Sequence, residues 1–237
     1  MRFYRRLSSF KAISFDLDDT LYDNHPVITK AEQELQHHLI ESAPECAALG
    51  PDFWWQQRDV CLTNQPELCH DVTALRLACM QSGIQHLGYS AIDAKAKASA
   101  AFDHFLAHRN NLQVSNSVKQ LLAKLSNKFP LVAISNGNVS IEEIGLSSYF
   151  THTYFAGNGN LQKPKDDMFK QACQQLHIEP HELLHIGDCT HADIYGALSA
   201  GCQTIWINNG EFAITKKALK VLPNAEFDNV EQLAIFV

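Results

Sequence analysis

Phe15-Asp16-Leu17-Asp18-Asp19-Thr20-Leu21 closes a short apolar run with clustered carboxylates. Ala12, Ile13 and Phe15 read as a buried strand, preceded by a basic tip and followed at once by polar residues. Ligands of an open α/β sheet gather beyond the carboxyl ends of its strands, so Asp16 and Asp18 fall where chemistry is found. Residues two apart share a face while the chain stays extended, which aims Asp16 and Asp18 the same way and turns Asp19 aside. Like charges that close repel unless a cation, a hydrogen bond or a proton compensates. The plainer reading of such a pair is a turn or a helix cap.

Beyond residue 112 strands and helices alternate. Ser115 and Asn116 are cap candidates for a helix carrying Val118, Leu121, Leu122 and Leu125 on one face. Leu131–Ile134 reads as a strand ending in Ser135-Asn136-Gly137-Asn138. The pattern then predicts a helix near Ile141–Leu146, a strand at Thr153–Ala156 and a helix capped by Asp166 or Asp167. Leu183–Ile186 is a further strand ending in Gly187-Asp188. Asp193 opens a helix to Ser199 with Gly201 at its C-terminus, and Thr204–Ile207 is a last strand. Residues 22–111 differ: amphipathic helical stretches, punctuated by Pro44, Pro51, Pro66 and Gly88, with little strand signal. About 90 residues is far longer than a usual βα connection. The fold class is therefore α/β: a Rossmann-like, doubly wound parallel sheet (residues 1–21 and 112–237) interrupted by an all-helical domain (residues 22–111).

The 237 residues carry 26 acidic against 19 basic side chains, a formal net charge of −7, which argues against a nucleic-acid or anionic-membrane surface. Seven cysteines, an odd number without a CxxC pair, suit neither a disulfide framework nor a zinc site and point to reduced thiols in a cytoplasmic protein. The basic start, Met1–Leu7, lacks the apolar segment of a signal peptide, and no run approaches the ~18 apolar residues that span a bilayer.

Three later motifs also sit at strand ends or helix starts: Ser135, Lys163-Pro164, and Gly187-Asp188-Cys189-Thr190-His191-Ala192-Asp193. Singly they read as a turn, a solvated loop and a capped strand-to-helix turn. Jointly, in this order, they bring carboxylates, a hydroxyl and an ammonium to one edge of the sheet.

This set of four motifs resembles that of the haloacid dehalogenase superfamily of phosphatases, and the helical insert resembles its type 1 cap. The resemblance covers the whole chain. At finer grain it extends to bacterial phosphatases of FMN and of the phosphorylated ribitylaminouracil precursor of riboflavin. Met1-Arg2-Phe3-Tyr4-Arg5, Tyr22-Asp23-Asn24, His70-Asp71-Val72-Thr73, Pro130–Ile134 and Asn136-Gly137-Asn138 carry that closer match. The resemblance implies Asp16 as nucleophile forming an aspartyl-phosphate, and Asp18 as acid and then base. It implies Mg²⁺ held by Asp16, Asp188 and the backbone carbonyl of Asp18, with Asp193 orienting metal-bound water or Lys163. Ser135, the amide of Asn136 and Lys163 would hold the transferring oxygens, and Thr20 would brace the loop bearing Asp18. The expected partner is a small phosphorylated metabolite, over which the cap closes. Sugar phosphates and nucleotides are alternative substrates; haloacid dehalogenation, phosphomutase action and a non-catalytic binding role are rival functions.

Tyr22, Asn24 and His25 lead from the nucleophile loop toward the insert and are specificity candidates. His104 and His108 have the i, i+4 spacing of a metal pair, but no Glu follows His104 and no third ligand is evident, so they read as a packed or solvated pair. Cys189 reads as inert, and Trp54 and Trp55 as core of the insert.

Overall fold

The computed structural model describes residues 1–209 and 221–237. Seven strands form one sheet in the order β1-β7-β6-β5-β2-β3-β4. They are β1 (Arg2–Phe3), β2 (Ala12–Phe15), β3 (Leu131–Ser135), β4 (His152–Phe155), β5 (Leu183–Gly187), β6 (Gln203–Ile207) and β7 (Ala225–Phe227). Every neighbouring pair is parallel except β1 with β7. Three adjacent strands, β5, β2 and β3, are buried along their whole length, as near-continuous apolar runs demand when both faces are covered. Phe15 of β2 lies level with Ala133 of β3 and Ile186 of β5. From β2 the chain goes first to β3 on one side and later to β5 on the other, so β2 sits at the point where strand order reverses.

The chain divides into two compact units, Met1–His25 with Gln113–Val237, and Pro26–Leu112. Tyr22–His25, placed with the insert on sequence, belong to the α/β unit, where Tyr22 and Asn24 bond back to Asp18 and Asp19. The second unit consists of α1 (His25–Ser42, which begins one residue before it), α2 (Pro51–Asn64), α3 (Val72–His86) and α4 (Ala91–Arg109) with short 3₁₀ turns. Asp71 and Ser90 start α3 and α4 by accepting from the amides of Ala74 and Asp93, at 2.8 and 3.1 Å. Leu35 and Leu39 of α1, Met80 and Ile84 of α3, and Phe102 and Phe105 of α4 share one apolar cluster. Trp54 packs against that cluster, but Trp55 is 61% exposed, so only the first is core. Both border a cavity of about 680 Å³ among α1, α2 and α3.

In the α/β unit α5 (Asn116–Ser126) is started by Ser115 Oγ, which accepts from Val118 N at 3.3 Å, and buries the expected Val118, Leu121, Leu122 and Leu125. The segment expected to be helical near Ile141–Leu146 is a series of turns instead. Its Ile141 and Ile144 are buried, and Leu146 N returns to Ile141 O, too wide a closure for an α-helix. Next comes α6 (Asp167–Leu176), whose Met168, Phe169, Ala172 and Cys173 pack with Val132, Ile134 and Leu183 of the sheet. Asp166 precedes it without a side-chain cap. The helix expected from Asp193 starts earlier, as a π-helical turn over Thr190–Tyr195 that runs into α7 (Gly196–Ser199).

Candidate active site

Asp16 is the first residue beyond β2, and its amide donates to Ile186 O at 2.9 Å. From the next loop but one, the Lys163 ammonium enters the interior and donates to Asp16 Oδ1, Ile134 O and Asp193 Oδ1, each at 2.6 Å. One cation thus ties together the ends of β2 and β3 and the turn after β5. Asn136 fixes the lysine's backbone with both ends of its side-chain amide: Nδ2 donates to Lys163 O at 2.9 Å and Oδ1 accepts from Lys163 N at 2.7 Å. Ser135 ends β3, buried, with Oγ accepting from Gly137 N at 3.0 Å.

Asp18 is partly exposed, and the Tyr22 hydroxyl donates to its Oδ1 at 2.7 Å. That contact places Tyr22 on the candidate acid. Thr20 is turned toward Asp188, its hydroxyl donating to Oδ1 at 3.2 Å. Asp19 has left-handed φ (57°) and accepts from Asn24 N at 2.8 Å, a turn role in keeping with its position. Asn24 is half-buried with its Oδ1 lacking a partner, while exposed His25 opens α1, its amide donating to Asp23.

The electrostatics follow from burying three carboxylates around one ammonium. Burial alone would cost Lys163 its proton, but Asp16 and Asp193 against it hold its pKa above the ordinary value. Burial likewise works to raise Asp193, yet Lys163 and His185 keep it well below the usual carboxylate range. Asp16 is driven well up by burial despite Lys163, with Asp193 and Asp188 adding to the push. Asp188 is pushed up to about 7 by burial and by the charges of Asp193 and Asp19. Fully ionised, the three carboxylates would carry more negative charge than the lysine offsets, and burial together with this excess pushes Asp16 and Asp188 toward holding protons. Asp16, Asp188 and Asp193 each present an oxygen, all within 4.8 Å of one another. An all-oxygen set with unbalanced charge fits Mg²⁺. Asp193 is already engaged by Lys163, by His185 and by the amide of Cys189 at 2.9 Å, which leaves Asp16 and Asp188 as the direct ligand candidates.

Four residues here carry no role on sequence alone. Ser14 Oγ lies 2.9 Å from His185 Nδ1, and His185 Nε2 lies 3.2 Å from Asp193 Oδ1, all buried. A histidine inside an apolar strand was the available signal. Gly137 and Gly187 abut Asp18 and Asp193 so closely that a side chain there would collide with them.

A family profile described as haloacid dehalogenase-like hydrolase matches residues 10–201. The chain belongs to this family. It is similar over its full length, at 36% identity and with both chains wholly covered, to the 5-amino-6-(5-phospho-D-ribitylamino)uracil phosphatase YigB of Escherichia coli K12. Human N-acylneuraminate-9-phosphatase is 25% identical over 85% of this chain and 84% of its own. Among solved structures, a 2-haloacid dehalogenase from Pseudomonas syringae pv. Tomato DC3000 superposes with a TM-score of 0.89 at 32% identity, covering 95% of this chain and 97% of that one.

Proposed function

We propose that the site hydrolyses small phosphomonoesters through an aspartyl-phosphate on Asp16, with FMN or the phosphorylated ribitylaminouracil precursor of riboflavin as substrate. The enzyme class, a phosphoric monoester hydrolase of the haloacid dehalogenase type, follows from the family and from phosphatase relatives along the chain. The observation that carries the mechanism is the single buried ammonium of Lys163 bridging Asp16 and Asp193 at the carboxyl edge of the central strands.

An Asp16 oxygen attacks phosphorus as the ester P–O bond breaks, and Asp18 gives its proton to the departing alkoxide. Asp18, now a carboxylate, takes a proton from the water that attacks the acyl phosphate, releasing inorganic phosphate and restoring Asp16. Ser135, the amide of Asn136 and Lys163 donate to the phosphoryl oxygens, where fixed donors favour the transition state. Tyr22 holds Asp18 in position through its 2.7 Å hydrogen bond. Asp16, Asp188 and the main-chain carbonyl of Asp18 would hold Mg²⁺, which would supply positive charge against the phosphate and the attacking carboxylate. Asp193 orients Lys163. The inserted helical unit is assigned the family's cap role, selection of the leaving group. The substrate reading is supported by the full-length relative named for that phosphatase activity.

Phosphate release from an aryl phosphate and from a panel containing FMN, the riboflavin precursor, sugar phosphates and nucleotides tests the proposal. Asp16→Asn should abolish turnover, Asp18→Asn should lower it by ~10²–10⁴, and EDTA should silence the enzyme until Mg²⁺ is returned. Turnover by Asp16→Asn, or indifference to EDTA, would contradict the mechanism. The dehalogenase neighbour motivates a second reading. Carbon–halogen cleavage needs no acid for its leaving halide, so halide release from a 2-haloacid that survives Asp18→Asn would favour it.

A further inference from the structure

The helical unit carries a second cluster of metal-ligating groups, on the face formed by α1 and α4. Glu34 of α1 points Oε2 between two histidines of α4, at 3.8 Å from His104 Nε2 and 3.9 Å from His108 Nε2. One ligand atom from each of the three lies within 4.8 Å of the others. His104 and His108 are one turn apart, their ring centroids separated by 4.8 Å. His38, one turn beyond Glu34, stacks on His104 at 4.9 Å with the planes 24° apart, which limits how that ring can turn. The missing third ligand of the histidine pair thus comes from a helix more than sixty positions earlier, beyond the reach of spacing arguments.

We propose that Glu34, His104 and His108 form a binding site for a transition-metal dication, Zn²⁺ in particular, clamping α1 to α4. The donor chemistry selects the ion. Two imidazoles and one carboxylate suit Zn²⁺, whereas Mg²⁺ prefers oxygen alone. Donors around a tetrahedral Zn²⁺ at ~2.0–2.1 Å stand roughly 3.3 Å apart. The Glu34–histidine separations of 3.8 and 3.9 Å are wider than a hydrogen bond and stand outside that spacing, with the three ligand atoms all within 4.8 Å of one another, so side-chain rotations that draw them inward complete the site. With 35%, 36% and 25% of the Glu34, His104 and His108 side chains exposed, water has access to the fourth position. Leu35 and Leu39 of α1 pack with Phe102 and Phe105 of α4 in one cluster, so the helices already hold the ligands near one another. This site does not depend on the phosphatase reading.

The test is calorimetric titration of the metal-free full chain with Zn²⁺, in an Asp188→Asn background that disables the acidic site. We expect one equivalent bound, an affinity weakened by at least ~10-fold in His104→Ala, His108→Ala and Glu34→Gln, and a higher melting temperature with Zn²⁺ that these variants lose. Equal affinity in His104→Ala/His108→Ala, or no stoichiometric binding, would overturn the proposal. Should the alanine variants unfold, Co²⁺ added to the parent decides. Intense visible bands of tetrahedral Co²⁺, displaced by Zn²⁺, support the site, and a purely octahedral spectrum refutes it.

Discussion

A Cβ on Gly137 would stand 2.6 Å from Asp18 Oδ2 and 3.4 Å from Ser135 Oγ. The first distance is below any contact a real Cβ makes, so the loop after β3 can approach the candidate acid only because this residue lacks a side chain. Gly137→Ala should push the Asp18 carboxylate out of line and lower kcat by up to ~10²–10⁴, the range expected when a general acid is lost. The loop is half-exposed, so the melting temperature should move little. Steady-state assays beside thermal melts check this, and an unchanged kcat would show that Asp18 tolerates displacement. Asn136 illustrates a different kind of dependence. Its side chain is committed to the backbone of Lys163, donating to the carbonyl and accepting from the amide, so this loop sets the path of the chain on either side of the buried lysine.

The turn after β5 shows how an element is shaped by what it must bury. Cys189 O accepts from Asp193 N at 2.9 Å and from Ile194 N at 3.2 Å, and this widened turn carries Asp193 inward. Once inside, Asp193 meets Lys163 and His185, and its Oδ2 caps its own helix through the Cys189 amide. On sequence Asp193 marked a helix start. The start lies three residues earlier because the buried ion pair, and not local capping, fixes where this aspartate goes. Behind the turn, α6 presses Phe169 against the sheet, its ring edge-on to His185 at 4.9 Å and 84°. Phe169→Ala leaves a cavity beneath the histidine that orients with Asp193, and should cost about 3–5 kcal/mol of stability. Urea unfolding measures it; a loss below ~1 kcal/mol would mean that the site collapses around the gap.

Across the molecule, the acidic cluster stores instability that a bound cation would relieve. Burial, with Asp193 and Asp19 nearby, raises Asp188 from 3.8 to about 7, so the folded chain keeps a proton that the unfolded chain releases. The stability carried by that proton is present in acid and is lost as pH rises through about 7. Asp188→Asn should therefore stabilise the metal-free protein by an amount that grows between about pH 4 and about pH 7 and then levels. Saturating Mg²⁺ should narrow or reverse the difference, because only the parent keeps the ligand. Paired melts in EDTA and in Mg²⁺ across this range test it, and a difference independent of pH would contradict the buried charge. Among the described residues no helix is long and apolar enough to cross a membrane. The sequence by itself determined strands β2 to β6, helices α5 and α6, the helical character of the insert and which polar residues stand at strand ends, because hydrophobic period and punctuation are local properties. Only the tertiary structure decided that Lys163 is buried between two aspartates, that Thr20 serves Asp188 and Tyr22 serves Asp18, and that Glu34 faces His104 and His108. Those contacts join residues whose separation along the chain carries no periodic signal, and a side chain's partner is set by the packing of whole elements rather than by its neighbours in sequence.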